Sequence, residues 1–134
     1  ITGRGHPSDD ARLGRFLDTL RRETTGRRVL AVGSVDLAHV GPAFGDAFGM
    51  DAARRQRLRG EDEALMASVM AGDADVFYDR IAAVEDRNRI CGFSPLYLLL
   101  SYLGPTTGQR AAYDHCPADA ADTSLVSICG LLLD

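Results

Sequence analysis

Val29-Leu30-Ala31-Val32-Gly33-Ser34-Val35-Asp36-Leu37-Ala38-His39-Val40-Gly41-Pro42 couples a short apolar run to a polar loop. Val29 to Val32 is continuous, apolar and rich in strand formers, the pattern of a strand buried on both faces of a parallel sheet. Polar residues just past the C-terminal end of such a strand are where open α/β sheets place their ligands. Asp36 and His39, three apart in that loop, can converge on one ligand as metal ligands, or as a base and its orienting partner. The ordinary reading of the same pair is a carboxylate capping the next turn and an imidazole hydrogen-bonded locally.

Upstream, Ser8 is a good N-cap, with Asp9 and Asp10 in the first turn where negative charge suits the helix dipole. Leu13, Phe16, Leu17 and Leu20 follow at helical spacing, giving an amphipathic helix to about Arg22 that Thr24-Thr25-Gly26 breaks. A helix followed by a buried strand is half of a βαβ unit, and parallel neighbours need crossovers of a dozen or more residues. The turn-like opening Thr2-Gly3-Arg4-Gly5-His6-Pro7 is too short to hold one, so further sheet-forming sequence is expected upstream.

Downstream, the charged stretch from Asp51 to Gly60 leads to Leu65, Met66, Val69 and Met70, a second amphipathic helix. Asp73 caps a third, with Val76, Phe77, Ile81 and Val84 on its buried face. Ser94-Pro95 gives an N-cap with Pro at the first helical position, and Leu96 to Leu103, apolar nearly all round, predicts a deeply buried helix. Gln109 to Tyr113 and Ser124 to Leu133 read as strands, joined by the turn-rich Pro117 to Asp122.

The 134 residues form one domain at most, with 46% hydrophobic and 25% charged residues, an ordinary globular composition. A net charge of −4 with scattered basic residues leaves no footprint for nucleic acid or an anionic membrane. No apolar run approaches the roughly 20 residues that span a bilayer, and no leader pattern is present, so the expected location is cytoplasmic. Cys91, Cys116 and Cys129 are odd in number and lack CxxC spacing, which suits a reducing compartment. All 15 basic residues are Arg, a usage that points to a GC-rich, bacterial source.

Among the thiols, Cys91 stands out in Arg87-Asn88-Arg89-Ile90-Cys91-Gly92. Two arginines and a helix start nearby favour the thiolate needed for metal binding or redox chemistry, although a small thiol packed beside Gly92 fits as well. Cys129 reads as core packing in the last strand, and Cys116 as a surface residue beside His115. Arg87 and Arg89 are charge-assisted donors for a phosphorylated or carboxylated ligand, or simply a solvated surface run.

Two of these segments resemble motifs of the MEMO family, known in bacteria as AmmeMemoRadiSam system protein B. Val32 to Asp46 is similar to the family's "S-x-D-[LF]-x-H-x-G" element, and Asp86 to Pro95 to its "ICG-x-x-P" element. Asp122 to Gly130 resembles the closing "S-x-VSxAA" strand, with Tyr113 where the family has a tyrosine before it. The resemblance covers nearly the whole chain in order.

It implies an α/β fold like the class III extradiol dioxygenases, with a mainly parallel central sheet and flanking helices, as one MEMO-like domain over 1–134 that lacks its N-terminal half. It also implies that Asp36, His39 and Cys91 are metal-pocket residues, with His39 and Asp36 as catalytic groups, and that copper or iron is the cofactor of a redox activity. The family's pocket adds two histidines from motifs resembling "HAGY-x-YSG" and "G-x-NH", which do not occur here. An N-terminal half or an oligomer partner would supply them. A thiolate in place of the carboxylate of a two-histidine, one-carboxylate triad argues against true extradiol dioxygenase chemistry, because the thiolate is itself readily oxidised. The alternatives are a non-catalytic binding module for a phosphorylated or carboxylated peptide or small molecule, using Arg87 and Arg89, and an inactive partial domain that needs a partner.

Overall fold

The computed structural model describes residues 5–134, so the reading of the opening loop lies in part outside the described residues. Four helices and a three-stranded sheet make up the described residues. Helix α1 spans Ala11–Thr24, α2 Ala52–Met70, α3 Ala74–Ala82 and α4 Phe93–Leu103. The strands are β1, His39–Val40, β2, Gly108–Pro117, and β3, Leu125–Leu133.

Local chemistry sets the helix starts. The Asp10, Asp51 and Asp73 carboxylates accept from the Arg12, Arg54 and Val76 N–H groups and cap α1, α2 and α3. Capping by Asp73 agrees with the sequence reading, whereas α1 starts from Asp10 instead of Ser8, because His6 to Asp9 is taken up by a short 3-10 turn. Helix α4, by contrast, begins two residues early, with Gly92 instead of Ser94 at its N-cap. The charged stretch from Asp51 belongs to α2 itself, since its arginines are good helix formers and Gly60 alone does not break nineteen residues of helix.

The core lies between α2, α3 and α4 and the inner face of the sheet. Leu58, Leu65, Met66 and Val69 of α2 meet Phe77 and Ile81 of α3, Leu96, Tyr97 and Leu100 of α4, and Val40 and Leu125 from the sheet. Removing any one of the larger side chains would cost about 2–5 kcal/mol.

The sheet departs from the parallel arrangement that the apolar run predicts. Its order is β1-β3-β2, and both pairings are antiparallel. The short connection from Pro117 to Leu125 allows only a hairpin between β2 and β3. Val29 to Val32 joins no ladder, and Leu30 and Val32 are 87% and 75% exposed. An apolar run specifies a buried strand only if partner strands flank it, and among the described residues none does. The β1–β3 ladder holds only His39 and Val40, while β2 pairs with β3 out to Leu133.

Candidate metal centre

Asp36, His39 and Cys91 come together although 55 residues of sequence separate the ends of the set: their ligand atoms all lie within 4.8 Å of one another. The His39 Nε2 is 3.8 Å from Asp36 Oδ2, and the Cys91 thiol donates to the Asp36 carbonyl at 3.6 Å.

Two loops build the site. The Asp36 carbonyl also accepts from Gly92 N–H at 3.1 Å, so one oxygen staples both the thiol and the backbone of the second loop to the first. Gly92 is required by this approach: a Cβ there would stand 2.7 Å from that oxygen and 2.8 Å from Val35 Cγ2. Further along, His39 N–H donates to the Asn88 carbonyl at 2.8 Å. The Arg89 guanidinium donates to the His39 carbonyl and, through two nitrogens, to both Asp46 oxygens. Gly41, at φ +108° with Ser124 and Thr123 backbone directly behind it, turns the chain and donates to the same Asp46 carboxylate.

The imidazole has a defined orientation. Its Nδ1 lies 3.2 Å from the carbonyls of Leu37 and Arg89, which can only accept, so Nδ1 carries the proton. Nε2, on the other side of the ring, faces the Asp36 carboxylate at 3.8 Å. A ring held through one nitrogen by backbone carbonyls with the other free is the usual state of a metal-binding histidine. Phe44 packs edge-on to the ring at 5.1 Å and limits its rotation.

A carboxylate, an imidazole and a thiol are a workable donor set. Bonds of about 2.0–2.3 Å place two donors on one ion roughly 3.3–4.5 Å apart, so the Asp36–His39 separation fits and the set as a whole needs only a small contraction. Thiolate with imidazole suits several soft or borderline ions, copper, iron and zinc among them. The face is open, with Asp36 and Cys91 exposed and His39 partly buried.

Arg87 and Arg89 sit beside this centre with carboxylate partners of their own. Arg87 pairs with Glu61 at 2.5 Å and Arg89 with Asp46 at 2.7 Å. Asp46 is held below the ordinary carboxylate range, mainly by its hydrogen bonds from Arg89. An incoming anion would therefore compete with a bound carboxylate at either arginine. Arg87 also edges a crevice of about 390 Å³ with Arg54, Arg57, Phe48 and Met50. His6 and His115 lie away from the centre, bonded to Ser8 and Tyr113.

Sequence reasoning missed Asp62, 1% exposed on α2. Tyr113 donates to it at 2.7 Å. Burial raises the Asp62 pKa, against the opposing effect of the Tyr113 and Ser127 hydroxyls. The signal was available: Asp62 falls between Leu58 and Leu65-Met66 on the apolar stripe of a helix, where a lone charge is out of place.

The described residues combine mixed helix and sheet with a group of carboxylate, imidazole and thiol, at the junction of two loops, that could hold a metal ion. The family model of the Memo-like proteins matches residues 1–131, essentially the whole chain, and the chain belongs to that family. Comparison with curated proteins finds no match. No helix among the described residues is long and apolar enough to cross a membrane.

Proposed function

We propose that this Memo-like chain binds a redox-active copper or iron ion through Asp36, His39 and Cys91. The convergence of three donor atoms from two loops within 4.8 Å carries the reading. The orientation of His39 supports it, because Nδ1 is taken up by two backbone carbonyls and Nε2 is the nitrogen turned toward Asp36. Bound there, the ion would supply one-electron chemistry. The chain's own residues hold and orient: the Leu37 and Arg89 carbonyls fix the imidazole, and the Asp36 carbonyl fixes the thiol. With Nδ1 protonated and Nε2 on the ion, His39 has no free nitrogen, so the second carboxylate oxygen of Asp36 is the atom placed to take and hold a proton from a ligand.

Three protein donors leave coordination positions open. Two histidines of the kind that the family resemblance implies would fill them, from sequence outside residues 1–134 or from a partner chain, and would also roof the open face. The test is metal content after loading with copper(I) or iron(II). The parent should hold about one ion per chain. Cys91→Ala and His39→Ala should lose most of it and Cys129→Ala should retain it. Equal content in all four would leave the cluster without a metal role.

A further inference from the structure

Asp36 and His39 ought not to meet. In an extended chain successive side chains alternate faces, so residues three apart point to opposite sides. Their ring and carboxylate are nevertheless 3.8 Å apart, which requires the alternation to fail between them. It fails at Leu37-Ala38, two consecutive residues that are both buried, at 2% and 0% exposure.

Ser127 of β3 faces that break. Leu37 N–H donates to the Ser127 carbonyl at 2.9 Å, and Ser127 N–H donates to the Ala38 carbonyl at 3.0 Å. Two residues of one segment thus oppose one of the other, the arrangement of a β-bulge, which re-aims side chains next to functional sites. Ala38 N–H then lacks a main-chain acceptor, and the Ser127 hydroxyl accepts it at 2.9 Å. We infer that Ser127 is a positioning residue for the metal centre, its hydroxyl locking the Leu37-Ala38 bulge that turns Asp36 and His39 to the same side.

Ser127 is itself held. It is fully buried, and its hydroxyl, having accepted from Ala38, is free to offer its proton to the Asp62 carboxylate on α2. Asp62 is anchored from the other side by the Tyr113 hydroxyl, and the Tyr113 oxygen lies 2.7 Å from His115 Nε2. No buried side-chain polar atom among the described residues is left without a partner. A buried polar network with every member satisfied fixes one geometry, and here the geometry it fixes is that of the bulge.

The inference rests on the metal-binding reading for its consequence, and two readouts separate the failures. In the intact protein, cobalt(II) titration should show Ser127→Ala losing about 10- to 100-fold in affinity, as removal of outer-shell support does. Ser68→Ala, which deletes another buried hydroxyl that bonds only the Leu65 carbonyl, should bind as the parent does. Amide exchange needs no metal: in the parent, Ala38 should be protected like the core strands although it lies outside any strand. In Ser127→Ala, Ala38 and His39 should exchange faster than the global loss of stability explains, and in Ser68→Ala they should follow it. If the parent binds no cobalt, the metal reading falls and exchange alone decides the bulge. An Ala38 amide as labile in the parent as that of exposed Leu30, or equal cobalt affinity in Ser127→Ala and Ser68→Ala, would overturn the positioning role. The parent measurement stands even if Ser127→Ala does not fold.

Discussion

Cys91 and Cys129 are the same side chain in opposite surroundings. Cys91 is exposed at the entry to α4, beside Asp36. Cys129 is partly buried in β3, where desolvation, and secondarily the Asp62 charge, push its thiol up. Cys91 should therefore alkylate much faster than Cys129, read by mass spectrometry of the native protein, whereas Cys129→Ala should act on stability, by roughly 1 kcal/mol of lost packing. At Gly92 the close approach to Asp36 O and Val35 leaves no room for a Cβ. Gly92→Ala should cost on the order of 1–3 kcal/mol in denaturant unfolding and loosen the thiol from the centre. A neutral substitution there would mean that the two loops are not stapled as described.

At the scale of elements, two carboxylates make opposite contributions to pH dependence. Asp46, between the β1 loop and the Arg89 turn, has its pKa lowered, so the stability it contributes is present above the ordinary value of 3.8 and is lost as pH falls through the lowered one. Arg89→Ala should flatten the acid limb of a stability–pH profile. Asp62, linking α2 to β2, has its pKa raised, so its contribution is full below 3.8 and declines as pH rises through the raised value. Asp62→Asn should remove that decline, and an unchanged slope between acid and neutral pH would argue that Asp62 is not buried.

Elements specified by local chemistry were legible in the sequence. The Asp73 cap and the strand character of β2 and β3 depend on neighbours within a few residues, whereas the α4 cap lies two residues from the one the sequence suggests. Asp36, His39 and Cys91 were legible as a group because two short motifs carry them. The parallel sheet was not, since Val29 to Val32 states only that it is apolar and rich in strand formers, and pairing depends on strands elsewhere. The bulge at Leu37-Ala38 was equally hidden, because nothing local says that Ser127, 89 residues on, takes the Ala38 N–H.

Taken whole, the molecule buries its core among α2, α3, α4 and the sheet, while Val29 to Val32 lines an apolar crevice with Leu131 to Leu133 and Leu99. Val29, Leu30 and Val32 are 50%, 87% and 75% exposed, and contiguous exposed apolar residues favour self-association. Leu30→Ser with Val32→Ser should change unfolding free energy by no more than about 0.5 kcal/mol while reducing association in sedimentation velocity. A large loss of stability would instead mean that this segment is packed.

The central claim is that Asp36, His39 and Cys91 act on one ion, and X-ray absorption at the metal edge of copper- or iron-loaded protein tests it most directly. The account predicts sulfur and imidazole scattering in the same coordination shell, with the sulfur contribution gone in Cys91→Ala and the imidazole contribution reduced in His39→Ala. A shell of light atoms only, unchanged by either substitution, would contradict it.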